Sequence, residues 1–173
     1  MHSLNVLIIL INFSFFFTRS SSQAPTNKLF KREFKLRSYP EYQISTGQAG
    51  RSKQAAEKVF VTPFVGINLA NISKTDLDNL NLMVRESIEV EKNFNAAIDA
   101  AGGIKTERGT QLQAGKIANK VLKNQGAVTL IRIKVAQGKD KLESLVAAEK
   151  KLAHNIEIDE KSAGKPMKSF LEV

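Results

Sequence analysis

The chain has 173 residues, 26 Lys and Arg against 17 Asp and Glu, 42% apolar residues, two His, no Cys and no Trp. Length and apolar content support one domain with a flexible end and exclude two large domains. The missing cysteine excludes a disulfide framework, a thiolate metal site and a thiol nucleophile.

Residues 1–18 contain no Asp, Glu, Lys or Arg, and Leu4 to Phe17 is apolar except for Asn5, Asn12 and Ser14. An apolar core of 14 residues fits the h-region of a secretory signal and falls short of the ~20 residues of a membrane span. Ser20 and Ser22 place small side chains at the positions a signal peptidase reads, so cleavage is expected after Ser22 and the protein is expected outside the cell. The segment before the apolar core has no Lys or Arg, and the competing reading is an uncleaved anchor followed by basic residues from Arg19 to Arg37. No second apolar run in the chain approaches 18 residues.

Residues 23–53 carry seven basic side chains against Glu33 and Glu41, whereas residues 54–173 carry 18 against 15, so the positive excess belongs mostly to an arm. With two of the four prolines and no helical stripe, residues 23–41 are expected to be extended or disordered. Lys31 and Arg32 form a dibasic pair of the kind cut by kexin-type proteases of the secretory pathway. The pair reads either as the end of a propeptide at Arg32 or as part of a solvated basic tail. The arm can supply phosphate contacts, but no nucleic-acid recognition motif accompanies it and no nucleic acid is expected as a partner.

The body predicts helices. Gln48 to Val61 carries Ala49, Ala55, Ala56, Val59 and Phe60 behind Ser45 and Thr46 as caps, and Pro63 ends this short helix. The stretch from Thr62 to Ile72 is apolar but punctuated by Pro63 and Gly66; it reads as a loop that packs Phe64, Val65 and Ile67 on the core. Ser73 and Thr75 precede Asp76 and Asp78 in a cap-like pattern. Leu77, Leu80, Val84, Ile88, Phe94, Ile98 and Ala101 then keep a helical spacing until Gly102 and Gly103 stop it.

Ile117, Val121, Val128, Ile131, Val135, Leu142, Leu145 and Leu152 share a further helical register, broken at Gly138, which predicts a hairpin of two helices with Asp140 as N-cap of the second. Strict alternation and β-branching over Ile131 to Val135 offer a strand instead. The expected fold is all-α, an antiparallel bundle of three long helices and a short one over residues 42–164, with a basic N-terminal arm and a C-terminal tail at 165–173.

Chemistry-bearing patterns are few. His154 is the only histidine beyond His2, so a zinc site with two histidines is excluded from the secreted chain. It reads as a surface histidine near a helix C-terminus. Gly109 to Lys116 has five residues between its glycines and Ile117 where a phosphate loop needs Ser or Thr. Asp76 and Asp78 lack the glycine and distal glutamate of a calcium loop. Asn71-Ile72-Ser73 is an N-glycosylation sequon in a loop. Leu171-Glu172-Val173 offers a short apolar carboxyl terminus. No catalytic residue, metal ligand or cofactor is assigned.

The blocks YQISTGQAG (42–50), TPFVGINLANISKTDL (62–77), GKIANKVLKNQGAV (115–128) and AQGKDKLESLVAAEKKLAHNIEID (136–159) resemble, in order and spacing, a group of small secreted proteins of fungi, cysteine-free and helical. The resemblance spans residues 42–164; greater basicity, HNIEID in the last block and the longer arm are departures from it. It implies secretion by a fungus and, in plant-associated species, a candidate effector role with uptake into host cells as one destination. It brings no catalytic residues.

The expected function is therefore a secreted, non-enzymatic interaction protein with a protein or cell-wall partner and no stable membrane insertion after signal removal. One alternative is a hydrolase using Glu86, Glu89 and Glu91 on a helix face, disfavoured because the carboxylates alternate with Lys and Arg as on a solvated surface. The other is a cationic membrane-surface protein, which needs a basic amphipathic helix that the arm does not offer.

Overall fold

The computed structural model describes residues 33–172, and all the expectations for residues 1–32, including cleavage at Ser22 and the pair Lys31 and Arg32, lie outside them. Six α-helices follow in order: α1 (Tyr39–Tyr42), α2 (Ser52–Phe60), α3 (Lys74–Glu89), α4 (Glu91–Ala100), α5 (Glu107–Ala136) and α6 (Leu142–Lys161). Two short strands, β1 (Gly47–Gln48) and β2 (Pro166–Met167), pair antiparallel with Gly47 opposite Met167. The all-α bundle read from the sequence is the fold observed.

The 30-residue α5 is the axis, and α2, α3, α4 and α6 all pack on it. Its apolar positions wrap more than one face: Leu112, Ala118, Val121, Leu122, Val128, Leu130 and Ile133 are all buried. An amphipathic surface helix buries one stripe, whereas a helix with neighbours on several sides buries most of its circumference. The strand reading of Ile131 to Val135 is corrected accordingly; the segment is the last helical stretch of α5, with Ile133 fully buried. The main core joins Phe60 of α2, Leu80, Met83 and Val84 of α3, and Val121, Leu122 and Ile133 of α5.

Several local expectations change. Ser73 is the N-cap of α3, its hydroxyl accepting from the Asp76 N–H, as the sequence predicts. The helix expected to run from Leu77 to Ala101 is instead two, α3 and α4, meeting at Val90. The buried positions 80, 84, 87, 90, 94 and 98 pass through this junction without a gap, so the apolar spacing carries no sign of it. Ile88, placed on that stripe, is about half exposed at 47%. Gly102 and Gly103 do end the segment, both in the left-handed region at φ 84°.

Helix α2 begins at Ser52 with Arg51 as N-cap, not behind Ser45 and Thr46, and α6 begins at Leu142 with Lys141, not Asp140, as N-cap. Phe64 is buried and Ile67 packs on the core, but Val65 points to solvent at 65% exposure. Two 3-10 turns, Thr62–Phe64 and Leu69–Asn71, give the expected loop its shape.

The described body is also longer than residues 42–164. Phe34, Tyr39 and Tyr42 are buried, and side chains of α3 hold the backbone that carries them. Phe34 N–H donates to Asp76 Oδ1 at 2.8 Å, and Asn79 Nδ2 donates to the Phe34 carbonyl at 2.9 Å. Residues 33–41, expected in the flexible arm, are therefore packed. So is the expected tail: β2 pairs with β1, and the Phe170 ring lies between Tyr39 and Phe94, 5.7 and 5.0 Å between centroids.

Candidate functional site

The carboxylates singled out on α3 and α4 do not converge. Glu86 turns inward under α1, where its Oε1 accepts from Tyr39 N–H at 3.2 Å and its Oε2 lies 3.1 Å from the Tyr42 hydroxyl. Glu89 is exposed beside Lys92 at 3.5 Å. Glu91 faces α5 and pairs with both Lys120, at 3.5 Å, and Lys123. Burial alone would raise the Glu91 pKa, but the hydrogen bond and charge of Lys123, with Lys120 beside it, hold the carboxyl below the usual range. Each of the three has a different set of neighbours. Among the described residues no group of three or more His, Asp or Glu is arranged to hold a metal ion.

Polar groups inside the bundle form a connected cluster. Tyr39 donates its hydroxyl to Asn119 Oδ1 at 3.0 Å, and Asn119 Nδ2 donates to the Ser87 carbonyl at 2.9 Å. The Tyr42 hydroxyl lies 2.8 Å from the Met83 carbonyl and 3.2 Å from Ser87 Oγ, while Ser87 donates to the same carbonyl at 2.9 Å. Burial pushes the Tyr39 phenol up to about 12, with the Glu86 charge adding to it, and burial pushes the Tyr42 phenol up as well. Both phenols thus keep their protons at neutral pH. Their role here is to satisfy buried polar groups and to fix α1 on α3 and α5, since neither is open to a substrate at 2% exposure.

The remaining sequence candidates are placed as follows. Asn71 is exposed at the end of a 3-10 turn, and the Ser73 hydroxyl of its sequon donates to Asp76 Oδ2 at 2.7 Å. His154 is exposed on α6. Nearby Glu157 is held below the usual range by its hydrogen bond with Lys161, the two being one helical turn apart, and His154 adds only a minor charge effect. Gly109 to Lys116 is helical throughout, so its backbone N–H groups point along α5 and form no phosphate cradle. The Asp76 N–H donates to the Ser73 cap of α3 while its carboxylate holds Phe34, and Asp78 is exposed and paired with Lys74.

A surface feature was only partly legible. Val61, Phe64, Val65, Ile67 and Leu69 form an apolar groove with Thr129 and Arg132 of α5, about 480 Å³ of space that opens to solvent. Among the described residues Arg132 is its only charged wall residue. The apolar run from Thr62 to Ile72 foretold the packing of Phe64 and Ile67. It gave no sign that Val65 stands on a rim, because a loop lacks the period that separates inward from outward positions.

A family model described as a domain of unknown function (DUF8454) matches residues 34–171. Its span begins at the clamped Phe34 and ends within the C-terminal 3-10 turn, so it covers the packed body including both terminal segments. No curated protein and no solved structure matches the chain.

Proposed function

We propose, from the premise that the chain belongs to the DUF8454 family of domains of unknown function, that it is a secreted, non-enzymatic interaction protein. In this reading it is a candidate fungal effector whose helical body binds a protein or cell-wall partner. The observation that carries the non-enzymatic part is the use made of the acidic side chains: Glu86, Glu91, Asp76 and Asp159 each support a backbone group, a phenol or a lysine of the same chain. A hydrolase that works through carboxylates, as glycosidases do, needs two carboxyl groups held across a substrate with their ionisation set apart, and these acids are tied to separate structural tasks.

Export is supported by the apolar segment Leu4 to Phe17 and the small residues after it. Glu33 is exposed and Phe34 is the first clamped residue, so a cut after Arg32 would leave the packed body whole.

The test is the intact mass of protein recovered from the medium of a secreting fungal host, followed by sedimentation of that species with a purified cell-wall fraction. A start at Gln23 or Glu33, with or without glycan on Asn71, and co-sedimentation or capture by one defined host protein are the expected results. Full-length chain confined to the membrane fraction would overturn secretion. Hydrolysis of a polysaccharide or peptide that is lost in Glu86→Gln would overturn the non-enzymatic reading.

A further inference from the structure

We infer that the groove between the 62–71 segment and α5 is the anchor site for an acidic protein partner, taking one apolar side chain on its floor and an adjacent carboxylate on Arg132. This deepens the interaction reading above and rests on it for the existence of a partner. The floor is apolar: Phe64, Ile67 and Leu69 leave no polar side chain to hydrate, and the Thr129 hydroxyl already donates to the Gln125 carbonyl at 3.0 Å. Val65 stands at the rim, 65% exposed. An apolar patch of this kind in contact with water gains by covering with another apolar group.

Charge complementarity selects the partner. Arg132 uses one Nη2 hydrogen bond, to Glu149 Oε1 at 2.7 Å, and its other guanidinium N–H groups have no partner among the described residues. A guanidinium carries five N–H donors in a fixed plane, enough for a second carboxylate beside the first. The whole body favours the same sign. Four of the 26 basic residues (Arg19, Lys28, Lys31 and Arg32) precede residue 33 and none of the 17 acidic ones does, so residues 33–172 carry 22 basic against 17 acidic side chains. A positive body steers an acidic partner towards contact.

The groove is also preformed. Asn68 Oδ1 accepts from Ala70 N–H at 3.0 Å, Gln137 Nε2 donates to the Ile72 carbonyl at 3.0 Å, and the Phe64 ring stacks on Phe34 at 5.1 Å. A wall fixed from three sides loses little freedom when a side chain docks against it. Its size and openness suit a single side chain of a larger partner, whose remaining contacts lie beyond the groove.

The experiment is a titration of the purified protein, with labelled methyl groups, by three blocked tetrapeptides of order Gly, Leu, X, Gly in which X is Asp, Asn or Lys. Saturable shifts are expected at the methyls of Val61, Val65, Ile67 and Leu69, with the Asp peptide binding about fivefold tighter than the Asn peptide, the upper range for an exposed ion pair. In Arg132→Gln that preference falls to about one, and in Glu149→Gln, where the competing carboxylate is gone, it rises. Circular dichroism of both variants checks that the fold is kept. Absence of saturable shifts at these methyls, equal binding of the Asp and Asn peptides, or a preference that survives Arg132→Gln would each overturn the proposal. If the groove is silent while the secreted protein still binds a host or cell-wall partner, the anchor site alone fails. If the peptides bind but the protein is retained in membranes, the secreted reading fails and the groove stands.

Discussion

Asp159 of α6 shows how one side chain replaces a missing helix cap. The residue before α2 is Arg51, whose side chain has no acceptor to offer, and the Ser52 N–H and hydroxyl instead donate to Asp159 Oδ2 and Oδ1 at 2.9 and 2.8 Å in the interior. Removing the acceptor leaves two buried donors unpaired. Asp159→Ala is expected to destabilise the fold by about 2–3 kcal/mol in urea unfolding, and Ser52→Ala, which keeps the backbone bond, by about 1 kcal/mol. A loss for Asp159→Ala no larger than for Ser52→Ala would remove the capping role. Glu91 makes a different prediction, through pH. Its carboxylate is favoured in the fold, so its contribution is full above the ordinary glutamate pKa and is lost as pH falls through the lowered folded value. The stability gap between the wild type and Glu91→Gln should be widest at neutral pH and should close as pH falls through that lowered value. A gap that stayed constant on acidification would mean that shape, not charge, holds α4 to α5.

At the scale of elements, α5 is a helix that several neighbours approach closely, and Gly126 is where two of them meet it. A Cβ built there would lie 2.6 Å from Val84 Cγ2 and 3.0 Å from Phe60 Cε2, and both side chains are buried. Alanine gains up to ~1 kcal/mol of helix propensity over glycine, but overpacking of this kind costs about 1–3 kcal/mol. Gly126→Ala should therefore lower the thermal midpoint, and a rise would show that Phe60 and Val84 have room to move. The helices themselves were legible because α5 and α6 carry sustained spacing and Ser73 and the Gly102-Gly103 pair mark ends. The break at Val90 was not, since the buried positions run through it in register. Residues 33–41 were read as arm because Phe34, Tyr39 and Tyr42 bury one by one, on bonds offered by Asp76, Asn79 and Glu86 from a distant helix. No local pattern reports such bonds. The same holds for the candidate site: the apolar residues of the groove lie in one sequence block, but Arg132 reaches it from α5, about 65 residues along the chain.

For the whole molecule, the two terminal segments close the bundle together. Phe170 lies against Tyr39 and Phe94, and Tyr39 in turn lies edge-on to Tyr42, so the last turn and the first helix share one aromatic cluster over the polar groups of α3 and α5. This gives a direct readout of global unfolding, because the chain has two Tyr and no Trp and both tyrosines sit in that cluster. A free phenol ionises near pH 10, whereas burial holds Tyr39 at about 12 and raises Tyr42 too. A raised folded pKa means that the folded state keeps protons the unfolded chain releases. The stability this confers is therefore intact below pH 10 and is lost as pH rises through about 12. On alkaline titration, phenolate absorbance should lag behind that of free tyrosine and then rise together with the loss of helical circular dichroism, in one transition. Ionisation of either tyrosine near pH 10 with the helical signal unchanged would mean that the terminal segments open without the bundle. Tyr39→Phe separates the two tyrosines: it removes one phenolate step and leaves Asn119 without its hydroxyl donor. The remaining Tyr42 step should then appear at lower pH, because the closure that buries it is weaker.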